Sequence, residues 1–147
     1  MAEFEPSRPD WREQAERVFR DAPFMRHVGY RLVDLRPGRL VSELDLAAHH
    51  LQLDGFVHAG VQATMADHSA GTAAYTLVAA DRIILTIEFK ISLLRAAQGE
   101  KLLCRAQVLK PGRAVTFAES RVFAVVSGAE TLVAVASVSL AATEARG

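Results

Sequence analysis

The sequence is short of cysteine, of net charge and of long apolar runs, and each shortage excludes a class of protein. Among 147 residues there is one cysteine, Cys104, so the chain cannot close an internal disulfide or build a metal site from several thiolates. Lys and Arg together number 17, as do Asp and Glu, which argues against nucleic acid or an anionic membrane as the main partner. The most apolar stretch is interrupted by Asp67 and His68, so no transmembrane span is predicted.

What remains is the composition of an ordinary globular protein. Half of the residues are apolar and 23% are charged, and this length suits one domain with its own hydrophobic core. The first residues lack the basic start and the apolar run of a signal peptide. We therefore expect a cytoplasmic protein.

The hydrophobic pattern predicts a helix, two strands, a long apolar helix and four further strands. Residues 1–9 form a polar stretch that we expect to be a loose tail. Asp10 is predicted to cap the first helix, Trp11–Asp21, with Glu13 completing a pair that resembles a capping box. Pro23 is expected to end that helix.

Period-two patterns predict six strands, at residues 30–36, 39–46, 82–94, 101–109, 114–126 and 131–142. Tight turns join the last three, so these should form an antiparallel meander. In the third strand, strict alternation places one set of side chains (Ile87, Phe89, Ile91 and Leu93) opposite another (Thr86, Glu88, Lys90 and Ser92).

The long helix, predicted over residues 55–77, is apolar or small around nearly its whole circumference, which indicates burial. Asp67 is its only acidic residue. Helical spacing surrounds it with small residues, so that a ligand or another backbone can approach closely: Gly60, Ala63, Ala70, Gly71 and Ala74. A carboxylate in such surroundings is unfavourable unless it is paired, hydrogen-bonded or protonated. A functional carboxylate and a structural one tied to an amide or hydroxyl both remain open.

The start of this helix suggests a chemistry for Asp67. The first amides of a helix have no internal partner and carry the positive end of its dipole. With glycines nearby, the amides of Ala59 and Gly60 can polarise a carbonyl and hold an oxyanion. A carboxylate one or two turns further on can act on water or on the carbonyl carbon. The combination predicts hydrolysis of an activated acyl group.

Two other constellations carry less weight. The string from Asp67 to Gly71 only loosely resembles a G-x-S-x-G elbow, and Ser69 is predicted in mid-helix, so no serine nucleophile is expected. Several histidines and acids (His49, His50, His58, His68, Asp54 and Asp67) lack a helical H-x-x-x-H pair or a thiolate partner. No metal site is therefore predicted.

His58-Ala59-Gly60-Val61 and Ala63-Thr64-Met65-Ala66-Asp67 together resemble the HGG-x-x-ATLAD signature of the PaaI-like hotdog-fold thioesterases. The stretch ILTIEFKISLLRAAQGEKL is similar to the family pattern T-x-E-x-K-I-x-x-L-R-P-A-x-G-E. The resemblance implies an α+β hotdog fold, in which a curved antiparallel sheet wraps around one long central helix. Residues 1–22 would be a tail and short helix, and residues 23–147 the hotdog domain.

The same resemblance implies an acyl-CoA thioesterase with Asp67 as general base or nucleophile. It assigns carbonyl polarisation to the amide of Ala59, with that of Gly60, and placement of water or thioester to Gln52. Thr86 falls where a hydroxyl contacts the carboxylate or its water. His58, Gly55 and Thr64 are expected to contact the substrate.

The resemblance also implies a pocket between subunits of a homodimer or of a homotetramer built as a dimer of dimers. Coenzyme A enters only as part of the substrate, and no separate cofactor, nucleic acid or membrane is expected. The acyl group is expected to be aryl or medium-chain.

Two departures from the family pattern and two rival functions remain. Ala59 replaces the first glycine of HGG, which preserves an amide donor, and Ala96 replaces the proline after Arg95. The first rival is a non-catalytic acyl-CoA-binding or regulatory hotdog domain. The second is a hotdog dehydratase, in which His58 would act with a carboxylate.

Overall fold

The computed structural model describes residues 3–147, so the first two residues of the predicted tail lie outside the described part. The helices and strands are α1 (Trp11–Asp21), α2 (Pro23–Val28), β1 (Arg31–Arg36), β2 (Arg39–Asp45), α3 (Ala59–Tyr75), β3 (Arg82–Leu93), β4 (Lys101–Lys110), β5 (Val115–Val126) and β6 (Ala129–Glu144). A short 3-10 turn, Ala48–His50, precedes α3. The predicted order of elements is confirmed, with α2 and this turn as additions.

The six strands form one antiparallel sheet in the order β1-β2-β4-β5-β6-β3. β4, β5 and β6 form the predicted meander. After α3, the chain enters β3 at the far edge, where it pairs with β6 from Arg82↔Glu144 to Leu93↔Ala134. Within residues 3–147 the outer edge of β3 has no strand partner.

The core lies between α3 and the sheet. α3 packs against β2, β3, β4, β5 and β6, so one helix covers the apolar face of the sheet. Its buried residues are mostly small, which lets helix and sheet approach closely. They face leucines and valines from the strands, among them Leu40, Leu102, Val122 and Leu140. The expected hotdog arrangement is confirmed.

Buried polar contacts fix α3 against the sheet. Ser42 Oγ lies 2.8 Å from Ser69 Oγ, and Ser120 Oγ donates to the carbonyl of Ala66 at 2.7 Å. The Tyr30 hydroxyl donates to the carbonyl of Val61 at 2.6 Å. Each contact pairs a polar group that burial would otherwise leave unsatisfied, and together they oppose sliding or rotation of the helix.

The predicted face of Thr86 is wrong. The register of β3 against β6 shifts between Thr86 and Glu88, which marks a β-bulge. Thr86 pairs with Leu140 and Phe89 pairs with Val138, and both β6 residues are buried on the side covered by α3. The extra residue breaks the alternation, so Thr86 shares the inner face with Phe89 instead of lying on the opposite one.

Two predictions for the N-terminal segment are also corrected. Asp10 occupies the N-cap position of α1 but makes no side-chain cap bond. Its carboxylate instead accepts bonds of 2.6 and 2.8 Å from Arg8, which lower the pKa of Asp10. The described part of the predicted loose tail is packed: Ser7 Oγ donates to Leu77 O at 2.8 Å, and Phe4 packs against the core.

Candidate active site

Asp67 lies half-buried on α3 at a cavity of about 260 Å³ between α1, α3 and β3. Thr86 Oγ1 donates a 2.7 Å hydrogen bond to Asp67 Oδ1. Apart from the carboxylate, the cavity wall is largely apolar. Its lining residues are Arg17, Val18, Asp67, His68, Gly71, Thr72, Tyr75, Ile83, Ile84 and Thr86. The structure thus brings together two of the predicted catalytic residues.

The small-residue face around Asp67 is narrower than predicted. Ala70 and Ala74 are 0% and 1% exposed and belong to the core. Gly71 remains accessible beside Asp67. A Cβ added at Gly71 would meet only Leu140 Cδ2, at 3.9 Å, so internal packing does not require glycine there.

His68 joins α3 to α1 immediately beside Asp67. Its Nε2 lies 3.3 Å from the carbonyl oxygen of Phe19, and the two rings are 5.0 Å apart. Burial lowers the pKa of His68, against smaller opposing effects of that carbonyl and of Asp67. The neutral imidazole therefore donates to Phe19 and fixes one wall of the cavity.

At the start of α3, the N–H of Gly60 donates a hydrogen bond within the described part of the chain and the N–H of Ala59 does not. His58 is the N-cap, and its Nδ1 accepts the Gly60 N–H at 2.8 Å. The Ala59 N–H has no acceptor within residues 3–147. Of the two amides that the sequence suggested for a substrate carbonyl, Ala59 is thus the available donor, and His58 acts as a cap.

A second cavity, of about 360 Å³, adjoins this helix start and includes the predicted residues Gln52 and Ala59. The remaining lining residues are Phe56, Val57, Gln62, Leu93, Leu94, Arg95, Ala96 and Ala97. The carboxamide oxygen of Gln52 accepts the Asp54 N–H, which leaves its NH2 group to donate. Gly55, at φ +86°, completes the turn that returns the chain toward α3.

None of the three predicted substrate-binding residues, His58, Gly55 and Thr64, lines either cavity. Gly55 is exposed in its turn, and its role is to shape the loop. Thr64 is half-buried on α3, and its effect on Tyr30 is to lower the pKa of that phenol, against the larger opposite effect of burial. A direct substrate contact of His58, Gly55 or Thr64 stays a prediction.

Sequence reasoning weighed His50 only as a metal ligand and missed its structural role beside the start of α3. His50 is buried; its Nδ1 accepts the Ala47 N–H at 3.0 Å and its Nε2 lies 2.7 Å from Val28 O. Since Nδ1 is an acceptor, Nε2 carries the proton and donates to Val28. The His50 carbonyl in turn accepts the His58 N–H at 2.9 Å, so this histidine ties the loop before α3 to the helix start.

The two halves of the predicted chemistry are far apart in one chain. Asp67 follows Ala59 by eight residues on α3, which is about 12 Å along a helix axis at 1.5 Å per residue. The two residues line separate cavities. Acyl transfer requires the reacting groups within roughly 3–3.5 Å of one carbon. A single copy of the chain therefore does not assemble both groups around one thioester.

Other reactive groups lie elsewhere or are inert. Within residues 3–147 no group of three His, Cys, Asp or Glu side chains is arranged to hold a metal ion. Cys104 is buried, which raises the pKa of its thiol to about 11, so it is a poor nucleophile. In the same described range, no helix is both long and apolar enough to span a membrane.

A third cavity, of about 320 Å³, lies on the outer face of the sheet and contains none of the predicted site residues. Several of its arginines are ion-paired: Arg36 with Asp34 at 3.2 Å, and Arg105 with Glu130 at 2.7 Å. These pairs make it a solvated charged surface without the carboxylate and amide of the other two cavities.

The fold and these cavities define a hotdog protein with a carboxylate and a free helix-start amide, and comparison with known proteins agrees. The family model of the thioesterase superfamily matches residues 54–138, more than half of the chain. The matched range contains all of α3 and the residues Ala59, Asp67 and Thr86. The chain belongs to this superfamily and is a thioester hydrolase.

Solved structures and a named relative are similar to this chain. A thioesterase family protein from Silicibacter pomeroyi is 33% identical, with a TM-score of 0.89 over 92% of this chain and 99% of that one. A conserved protein of Pseudomonas aeruginosa is 29% identical, with a TM-score of 0.77 over 90% and 98%. A 1,4-dihydroxy-2-naphthoyl-CoA hydrolase of Listeria monocytogenes is 23% identical over 95 residues, 65% of this chain and 77% of that protein.

Proposed function

We propose that this protein hydrolyses acyl-CoA thioesters at a site shared between two copies of the chain. Asp67 and Thr86 of one copy would meet Ala59 and Gln52 of the other. The observation that carries this proposal is the separation of the two halves into two cavities, about 12 Å apart along α3.

The chemistry follows from the groups present. Asp67 takes a proton from a water whose oxygen attacks the carbonyl carbon, or it attacks that carbon itself. The Ala59 N–H stabilises the charge that develops on the carbonyl oxygen, and the Gln52 NH2 group holds the water or the thioester. In the first route the C–S bond then breaks, the CoA sulfur takes the proton that Asp67 removed from water, and the acyl group leaves as the free acid. In the second route the breaking C–S bond leaves a mixed anhydride on Asp67; water cleaves this anhydride to the free acid and Asp67, and a proton of that water goes to the CoA thiolate.

Strand β3 provides a way for two copies to complete both sites. Its outer edge is unpaired, and Leu85 and Ile87 are 54% and 56% exposed. An open apolar edge strand is a template for pairing with another chain. Ile83, near one end of β3, borders the Asp67 cavity, and Leu93 at the other end borders the Ala59 cavity. Antiparallel pairing of β3 with β3 of a second copy reverses the ends and brings unlike cavities together.

The Asp67 cavity favours an apolar acyl group. Val18, Ile83 and Ile84 contribute aliphatic walls, and Tyr75 contributes a ring. The Listeria relative is named for hydrolysis of a hydroxylated naphthoyl thioester, an aryl acyl group. We assign the substrate to aryl or medium-chain acyl-CoA thioesters, and a cytoplasmic location remains a prediction.

A mixing experiment tests the shared site. Asp67→Asn removes the carboxylate, and Ala59→Pro removes the amide hydrogen; proline is tolerated at the first helical position, and His58 before it is extended, with ψ of 136°. We expect Ala59→Pro to reduce turnover by about two to three orders of magnitude, whereas Ala59→Gly keeps most activity. Each homodimer is then nearly inactive.

Unfolding and refolding the two variants together at equal concentration should restore about a quarter of wild-type thiol release. Half of the random dimers are mixed, and each mixed dimer has one intact site of two. Sedimentation should show no substantial monomer. No recovery of activity in verified mixed dimers, or full activity of a monomer, contradicts the shared site.

A further inference from the structure

Gln62 carries a hydrogen-bond acceptor with no partner. It lies on α3, is 3% exposed and lines the Ala59 cavity. Its Nε2 lies 3.5 Å from the Val57 carbonyl, and because a carbonyl only accepts, the NH2 group must be the side facing Val57. Gln62 Oε1 then forms no hydrogen bond within residues 3–147. Buried acceptors of this kind are unfavourable unless a partner arrives.

The position of Gln62 relates it to the thioester of the proposed reaction. It follows Ala59 by three residues, so the two lie on one side of the helix with Cβ atoms about 5–6 Å apart. The 3.5 Å contact to Val57 holds the carboxamide only weakly, and its last torsion is broad in energy. Oε1 can therefore turn into the cavity while the Ala59 N–H binds the thioester carbonyl.

The partner for this acceptor must be a donor close to the thioester. In every CoA thioester the first amide of the pantetheine arm follows the sulfur after two methylenes, so its N–H lies roughly 5 Å from the thioester carbon when extended. That span matches one helical turn. The cavity also suits the arm, because leucines (Leu93 and Leu94) offer apolar walls for the methylenes beside the carboxamides. The Asp67 cavity, more uniformly apolar, suits the acyl group.

We propose that Gln62 Oε1 accepts a hydrogen bond from the first pantetheine amide and so makes the site selective for pantetheine thioesters. The inference rests on the proposed function for the position of the thioester, but it separately requires that the protein bind the pantetheine amide in preference to an analogue without the N–H. Gln62 is a substrate-binding residue in this account, and it would contribute to recognition of the thiol portion, not of the acyl group.

The test compares CoA compounds that differ at one atom. Wild type and Gln62→Met, which keeps side-chain length but has no acceptor, are assayed with an acyl-CoA and with its analogue in which methylene replaces the first pantetheine N–H. Wild type should prefer the amide by roughly tenfold to a hundredfold in kcat/KM, and Gln62→Met should abolish most of that preference. Gln107→Met, the same change on the outer face of the sheet, should retain it.

Binding of free CoA and its methylene analogue, measured by calorimetry, separates this inference from the proposed function. If wild type binds CoA more tightly than the methylene analogue and Gln62→Met does not, the inference is supported, even if no thioester is hydrolysed. Absence of hydrolysis would contradict only the proposed function. If Gln62→Met lowers the hydrolysis rates of both thioesters equally and keeps the preference for the amide, the inference is overturned. Gln62 would then bind water or have only a structural role. The inference is also overturned if wild type shows no preference for the amide compound over its methylene analogue in hydrolysis and none in binding.

Discussion

Thr86 Oγ1 donates a 2.7 Å hydrogen bond to Asp67 Oδ1 across the space between β3 and α3. The bond exists because the bulge after Thr86 places this side chain on the inner face of the sheet. A hydroxyl bonded to a carboxylate orients it and leaves the second oxygen, Oδ2, for a water or a substrate. The bulge thereby connects the edge of the sheet to the proposed chemistry.

Thr86→Val should lower kcat by roughly tenfold to a hundredfold, because a hydrogen bond to a charged group is worth about 1.5–3 kcal/mol. KM should change much less, since the orientation of Asp67 acts on the chemical step. Thr86→Ser should restore most of the activity. Thr131→Val, an exposed change on β6, is the matched control, and unchanged kcat in Thr86→Val would remove the positioning role.

Gly71→Ala should separate stability from activity. Replacing a helical glycine by alanine typically raises the free energy of unfolding by about 0.5–1 kcal/mol. Outside its two chain neighbours and its own helix backbone, the nearest described atom to the new Cβ is Leu140 Cδ2, at 3.9 Å. The methyl group would, however, occupy space beside Asp67. We expect a higher denaturation midpoint, normal hydrolysis of acetyl-CoA and slower hydrolysis of aryl-CoA. Equal rates for small and large acyl groups would place the acyl pocket elsewhere.

His68 should make the fold sensitive to acid. Burial lowers the pKa of His68 below its ordinary value near 6.5. Between the two values the unfolded chain binds more protons than the folded one, so this contribution to stability is present above about pH 6.5 and is lost as the pH falls. His68→Gln keeps a donor for the Phe19 carbonyl without titrating.

The denaturation midpoint of wild type should therefore fall more steeply than that of His68→Gln between about pH 7 and about pH 5. His27→Gln, an exposed change on α2, should follow the wild-type curve. Parallel curves for wild type and His68→Gln would show that this imidazole does not control acid stability.

Much of the fold could be predicted from the sequence because local patterns agree with the final packing. α1 has the predicted bounds, and the strands end within a few residues of their predicted limits. The predicted meander follows from tight turns, and only α3 is apolar enough to cover the sheet. Asp67 stands out in that helix for the same reason: it is the one acidic side chain there.

The errors arise where distant parts of the chain decide the outcome. The bulge beside Thr86 contains no glycine to signal it, and it depends on how β3 meets β6. Asp10 loses its cap bond to competition from Arg8. Gln62 is not singled out by any sequence pattern, and its burial without a partner for Oε1 is what distinguishes it.

The central claim is that Asp67 performs the hydrolysis, and Asp67→Asn tests it while preserving the size and hydrogen-bonding capacity of the side chain. We expect normal or tighter acyl-CoA binding and unchanged or higher thermal stability, because a partly buried charge is removed. Asp81→Asn, an exposed change after α3, is the matched control and should behave as wild type.

The decisive measurement is thiol release from a good acyl-CoA substrate by wild type and Asp67→Asn, with calorimetric affinity determined on the same preparations. The account predicts turnover reduced by roughly a hundredfold or more in Asp67→Asn at undiminished affinity. Equal hydrolysis by the two proteins would contradict it and make Asp67 structural. If both proteins bind acyl-CoA and neither hydrolyses any, the account is contradicted in favour of a regulatory acyl-CoA-binding protein.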